Sequence, residues 1–289
     1  YTRLGLKLTM SDNELRSFIV NALAEDTGGG DHSSLASIAA ESSGRARLLI
    51  KEPGIISGLR VAREVFLITD PSLEVEVILK DGDRVKYGDI ALTVSGKVRS
   101  ILRAERLVLN IMQRMSGIAS STALYTEKVK DTRARITDTR KTTPGMRALE
   151  KEAVRTGGGV NHRMGLYDMV MLKDNHIDYA GGIEAAIKRT KDYLREKQLN
   201  LRIEVEARNI KEVSEILEAG GVDRIMLDNF NIADTREAVA LIAGKTETES
   251  SGGITLENVR DYALCGVDYI SIGALTHHIK SLDMSLKAY

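Results

Sequence analysis

The residues of this sequence best suited to chemistry are basic and fall in one stretch: Arg140, Lys141, His162, Arg163, Lys173 and His176. Arginine offers a planar fork of donors that matches carboxylate or phosphate, and lysine a compact point charge. A cluster of both is a grip for a small polyanion. Further on, Glu206 and Asp228 could accept from sugar hydroxyls or hold Mg²⁺, a hard cation that prefers carboxylate and phosphate oxygen. Ser251-Gly252-Gly253 and Gly273-Ala274-Leu275 offer backbone N–H groups ahead of predicted helices, a geometry that cradles phosphate. Together these residues describe a site for a magnesium-bound sugar phosphate beside a second anionic molecule.

Most of these residues close or follow an apolar, β-branched segment. The segments cover 134–139, 169–172, 201–206, 224–227, 246–249 and 268–272, with helical stretches between most of them. From Met171 onward their midpoints recur at short, regular intervals, through Val205, Met226, Glu249 and Ser271. Such βα units predict a parallel sheet, and their number favours a barrel over an open doubly wound sheet. No glycine-rich nucleotide fingerprint follows the first of them, which also weakens the open-sheet reading. In a parallel barrel the carboxyl ends of all strands converge on the active face. Two basic, two acidic and two small glycine-containing strand ends would therefore meet there.

The preceding chain reads differently. Ser11 and Glu14 form a capping box, with Leu15, Phe18, Ile19, Ala22 and Leu23 at helical spacing behind it. After a loop at 25–31 come short alternating segments at 45–51, 73–79 and 90–94, with turn signals at Asp81-Gly82-Asp83 and Tyr87-Gly88-Asp89. Leu107, Val108, Ile111, Met112 and Met115 then share one helix face, which places a domain boundary between 105 and 115.

With 289 residues and 43% hydrophobic composition, the chain can bury one large core or two domains. Its 41 basic residues balance 41 acidic ones, which argues against nucleic acid or an anionic membrane as partner and makes any anion grip local. A single cysteine, Cys265, and no long apolar run point to a cytoplasmic setting. Arg103, Arg133, Arg135 and Arg147 read as surface charges, His32 and His278 as ordinary polar residues, and Cys265 as a packing residue. His176 could orient the Lys173 loop rather than touch a ligand.

The run Thr139 to Arg147 (TRKTTPGMR), continuing through Gly157 to Arg163 (GGGVNHR) and Lys173 to Ile177 (KDNHI), closely resembles the quinolinate phosphoribosyltransferase family. Further matches lie at 104–106, 109–110, 116–119, 204–206, 227–229, 251–254 and 266–277, and at Glu25 to Asp31, so the resemblance spans nearly the whole chain. It implies a type II phosphoribosyltransferase-like α/β fold: an N-terminal α/β sandwich over 1–110 and an incomplete parallel α/β barrel over 111–275. The tail 276–289 would return to the first domain.

The implied reaction moves a phosphoribosyl group from phosphoribosyl pyrophosphate to the ring nitrogen of quinolinate. The products are nicotinate mononucleotide, pyrophosphate and CO₂, the de novo entry to NAD. By position, Arg106, Arg140, Lys141, His162 and Arg163 would hold quinolinate, Arg106 reaching in from the partner of a homodimer with shared sites. Higher oligomers fit the same pattern. Lys173, Glu206, Asp228, Ser251, Gly252, Gly273 and His277 would hold phosphoribosyl pyrophosphate, and Lys141, Lys173, Glu206 and Asp228 would serve catalysis. Glu206 and Asp228 would bind Mg²⁺ directly or through water, and no covalent cofactor is implied.

Three rival readings deserve weight. A strand-end lysine, Lys141 or Lys173, could form a Schiff base as in an aldolase, though the paired acidic ends argue against it. A molybdenum-transport-associated homologue of the same family is less favoured because every quinolinate-contacting position is present. The stretch 81–89 resembles the turn of biotinyl and lipoyl carrier domains, but Gly96-Lys97-Val98 stands where Met-Lys-Met would.

Overall fold

The computed structural model describes residues 10–289. They form two compact units: residues to 123 with 142–158 and 275–289, and 124–141 with 159–274. The opening residues of the expected first domain, 1–9, lie outside the described residues.

In the first unit, Ser11 Oγ accepts the Glu14 N–H at 3.2 Å while Glu14 accepts the Ser11 N–H at 2.7 Å, and this box starts α1 (Asp12–Thr27). Asp31 caps the short α2 (His32–Ser37) one way, its carboxylate accepting the Ser34 N–H at 3.1 Å. Then follow β1 (Ser43–Ile50), β2 (Gly54–Ile55), α3 (Leu59–Thr69), β3 (Glu74–Val77), β4 (Arg84–Val85) and β5 (Ile90–Lys97). Along β1, Ala46, Leu48 and Ile50 are buried between more exposed neighbours, the period-2 pattern of a sheet with one face on a core. The carrier-like turn at 81–89 is part of the two-stranded pair β2–β4.

The helix α4 (Val98–Val129) buries Val108, Ile111, Met112 and Met115, as their spacing predicts. The expected boundary at 105–115 falls inside it. This helix of 32 residues carries its apolar stripe straight through that stretch.

The remaining elements are β6 (Arg135–Thr137), α5 (Arg147–Thr156), β7 (Val170–Leu172), α6 (Asp174–Ala180), α7 (Ile183–Glu196), β8 (Ile203–Ala207), α8 (Ile210–Ala219), β9 (Arg224–Asp228), α9 (Ile232–Ile242), β10 (Glu247–Ser251), α10 (Val259–Leu264), β11 (Tyr269–Ser271), α11 (Ala274–His277) and β12 (Met284–Ala288). Residues 142–158, with α5, belong to the first unit rather than to the barrel. In that unit the antiparallel order is β12-β1-β5-β3, so the chain's last strand pairs with β1.

The second unit holds six parallel strands in the order β6-β11-β10-β9-β8-β7. This is a barrel sequence wound one step, with its seam between β6 and β7. Val160 forms a parallel bridge to Thr137 on the β6 side of that seam. No helix among the described residues is long and apolar enough to cross a membrane.

Candidate active site

Arg140 and Lys141 stand three and four residues beyond the end of β6, in a bend where Thr139 Oγ1 accepts the Lys141 N–H at 3.1 Å. Burial, and then the like charge of Arg140, depress the pKa of the Arg163 guanidinium, while Glu204 and Asp168 partly compensate. Two guanidiniums near enough to repel are what an anion between them would relieve. The loop beyond Arg163 is closed by Asp168, which accepts the N–H groups of Met164 and Gly165 at 2.7 and 2.8 Å. Arg163 Nη1 donates to the Met169 carbonyl at 3.3 Å.

Lys173 is the N-cap residue of α6, and its Nζ lies 3.0 Å from Glu206 Oε2 at the end of the neighbouring strand. His176 Nδ1 accepts the Lys173 N–H at 3.0 Å, so this histidine orients the lysine's backbone. Asp228 and Ser251 are direct register partners on β9 and β10. Asn229, at φ 56°, gives its N–H to the Ser251 carbonyl at 2.8 Å and its side-chain amide to Asp228 at 2.7 Å. Gly252 follows at φ 92°, and a Cβ there would collide with the Asn229 side chain, so glycine is required on two counts.

The phosphate-cradle expectation needs one correction. Gly273 does abut α11, but α10 begins only at Val259, because the turn at 252–258 intervenes after Gly252-Gly253.

His162 sits lower in the same unit and is buried. Its Nδ1 accepts the Arg163 N–H at 2.8 Å, and its Nε2 lies 3.1 Å from Glu204 and 3.5 Å from Glu249. Asp138, fully buried after β6, accepts the His162 backbone N–H at 2.9 Å and the Asn161 side-chain amide. Arg224 Nη1 bonds Glu249 at 2.7 Å and stacks over the Tyr269 ring with 3.7 Å to its centroid. Burial opposes the charged imidazole, but Glu249 and Glu204 outweigh it and lift its pKa to about 9. Burial beside Glu249 raises Glu204, whereas His162 and Arg224 overcome the same burial and lower Glu249. The Arg163 N–H aimed at Nδ1 resists a second ring proton, so in the neutral ring the proton sits on Nε2, facing the two carboxylates.

Asp138, Glu204, Arg224 and Glu249 were not expected as functional residues. A signal existed: Glu204 and Glu206 differ by two in one strand and must share a face.

Arg106 and His277 belong to the first unit. Arg106 is exposed on α4, and His277 is exposed with its Nδ1 2.7 Å from His278 Nδ1. In that unit Arg114 donates to Glu150 at 2.8 Å, to Thr143 Oγ1 at 2.8 Å and to the Thr276 carbonyl at 2.9 Å. It thereby fixes the segments just after Lys141 and just before His277. Of the arginines expected on the surface, Arg133 pairs with Asp268 and Arg103 donates to the Thr69 carbonyl at 2.6 Å. Cys265 is buried.

Comparison with known proteins bears on the whole chain. Residues 31–116 match the N-terminal domain of quinolinate phosphoribosyl transferase and residues 118–287 its C-terminal domain. The chloroplastic nicotinate-nucleotide pyrophosphorylase (carboxylating) of Arabidopsis thaliana is 48% identical, over 95% of this chain and 82% of its own length. A probable enzyme of the same name from Bacillus subtilis (strain 168) is 40% identical over 96% and 94%. The crystal structure of NadC from Streptococcus pyogenes superposes with a TM-score of 0.91 at 40% identity, covering 97% of this chain and 99% of that one. With strand ends, fold and both domains in agreement, the chain belongs to the quinolinate phosphoribosyltransferase family.

Proposed function

We propose that the chain transfers phosphoribosyl from phosphoribosyl pyrophosphate to quinolinate, with loss of CO₂, at the carboxyl ends of its parallel strands. The observation that carries the site is the Lys173–Glu206 pair, 3.0 Å apart at neighbouring strand ends, with Asp228 and Ser251 in register on the next two strands of the same sheet. Arg140, Arg163 and Lys141 hold the two carboxylates of quinolinate, and His162, whose ring nitrogens already meet the Arg163 N–H and the two buried glutamates, backs Arg163. Glu206 and Asp228 face the ribose hydroxyls, and Ser251, Gly252, Gly273 and His277 take phosphate groups.

As the C1–O bond of the sugar breaks, its electrons leave with pyrophosphate and positive charge develops at C1. The quinolinate nitrogen then forms the new bond to C1. Lys173 and the backbone N–H groups near Gly252 stabilise the departing charge, and no side-chain nucleophile is needed. The alkylated ring is cationic and accepts the electron pair left when the adjacent carboxylate departs as CO₂, after which a proton fills that carbon. The residues' main contribution is alignment.

Glu206 and Asp228 are carboxylates on neighbouring strands, and a hard donor pair of this kind fits Mg²⁺. They would hold it directly or through water. When bound with phosphoribosyl pyrophosphate, Mg²⁺ neutralises charge on the leaving group. Arg106, exposed on α4, completes the quinolinate grip in a second copy, making the enzyme a homodimer.

Incubating the protein with quinolinate, phosphoribosyl pyrophosphate and Mg²⁺ should yield nicotinate mononucleotide, pyrophosphate and CO₂ in equal amounts. A failure to form the mononucleotide would overturn the reading. Sharing of sites is tested at low quinolinate, by mixing Arg106→Ala and Arg163→Ala proteins that each turn over only at much higher quinolinate. Random hybrids carry one intact site, so activity should return to about a quarter of wild type, and no return would exclude shared sites.

A further inference from the structure

Beneath the proposed quinolinate grip lies an ionic group that neither substrate contact nor catalysis explains. Glu204 and Glu249 are both 0% exposed, an expensive place for two carboxylates. The Arg224 guanidinium and the His162 ring meet them there, at 2.7 Å and 3.1 Å in the closest pairs. A protonated ring would balance the second carboxylate but give up the Arg163 N–H at Nδ1. His162, Glu204 and Glu249 also have the donor types of a metal site. Arg224, however, already bonds the Glu249 oxygen that faces His162 and supplies the countercharge a metal ion would bring. Replacing such a group with apolar residues of similar volume is often neutral or stabilising, so stability alone is a poor reason for it.

Its geometry suggests a better one. Glu204 and Glu249 come from strands on either side of β9, and Arg224 on β9 ties Glu249 from between them. They hold Nε2 of a ring whose other nitrogen holds the backbone N–H of Arg163. His162 enters from the barrel seam, where Val160 is bridged to β6 and Asp138 grips the His162 backbone. A segment that reaches the site from a seam has few ladder bonds of its own, so its side chains must be fixed by contacts like these.

We propose that Glu204 and Glu249 are positioning residues for quinolinate recognition, acting through the His162 ring to fix Arg163. The proposal rests on the reading that Arg163 holds a quinolinate carboxylate. It assigns the two buried glutamates to one substrate and not the other, because their contact runs to His162 and Arg163 and not to the Asp228–Ser251 side.

The test is steady-state kinetics on Glu204→Gln, Glu249→Gln, Arg163→Ala and the doubles Glu204→Gln/Arg163→Ala and Glu249→Gln/Arg163→Ala, with thermal melts of each. Either glutamine variant should raise the KM for quinolinate at least tenfold, leave the KM for phosphoribosyl pyrophosphate within about twofold, and change kcat little. On the Arg163→Ala background the same changes should add almost nothing, since both act through one residue. Equal changes in both KM values, or full additivity with Arg163→Ala, would mean a general structural role and overturn the proposal. If Arg163→Ala itself leaves quinolinate binding unchanged, the site reading fails and takes this proposal with it. If one glutamine variant does not fold, the other and His162→Gln carry the same comparison.

Discussion

The two sheets of this protein solve opposite problems. The antiparallel sheet of the first unit buries Ala46, Leu48, Ile50, Leu92 and Val94, an apolar face on a core. The parallel sheet of the second unit buries Glu204, Glu206, Arg224 and Glu249 in neighbouring strands. One sheet packs an apolar face, and the other holds charge beneath the strand ends proposed as the site. The usual rule of apolar interiors is thus broken on the sheet that carries the proposed chemistry.

Mutations should separate the two sheets. Arg140→Ala is expected to weaken quinolinate binding by ~2–5 kcal/mol, the range for truncating one partner of a buried charge pair, while the melting temperature hardly moves. An unchanged Kd by calorimetry would remove Arg140 from the site. Leu48→Ala should do the reverse, lowering stability by ~3 kcal/mol through a cavity while both KM values stay fixed. A change in KM would show that the first sheet also tunes the site.

The pH response belongs to the charged sheet. The groups facing the His162 ring are Glu204, Glu249, Arg224 and the Arg163 backbone N–H. Because its folded pKa of about 9 exceeds the ordinary 6.5, its contribution is fully present below about 6.5 and is lost as pH rises through 9. That loss is at most ~3 kcal/mol, less whatever the Arg163 N–H on Nδ1 removes. The wild-type melting temperature should therefore fall further between pH 6 and 9.5 than that of His162→Gln, and equal falls would absolve the histidine. Smallest is Ser11→Ala, which removes the cap of α1 and should cost ~1 kcal/mol without kinetic effect.

The same contrast governs what could be read from sequence. The α1 capping box, the α4 stripe and β1 were legible because apolar residues mark their buried faces. Along the barrel, period alone put Lys173, Glu206, Asp228 and Ser251 at or beside strand ends, where the structure has them. The residues below them were missed for a physical reason: β10 reads Glu-Thr-Glu-Ser-Ser, so its inward face looks like a surface. In the sequence Glu249 is the middle of a strand and nothing more. Resemblance puts His162 on the substrate, whereas in the fold its ring is contacted at both nitrogens from within the protein. The two-residue strands β2 and β4 and the last strand β12 have too little pattern to announce themselves.

The strand order also says something about how the molecule is made. Among the described residues the one strand that pairs with β6 is β11, and residues 46–50 of β1 pair with 284–288 of β12. A nascent chain halted before residue 269 therefore leaves both sheets short of a strand, with β1 presenting an open edge to any neighbour. Contacts this distant in sequence slow folding and lengthen the interval of exposure. Early termination or clipping near the carboxyl end should thus yield an aggregating chain rather than a weakened enzyme.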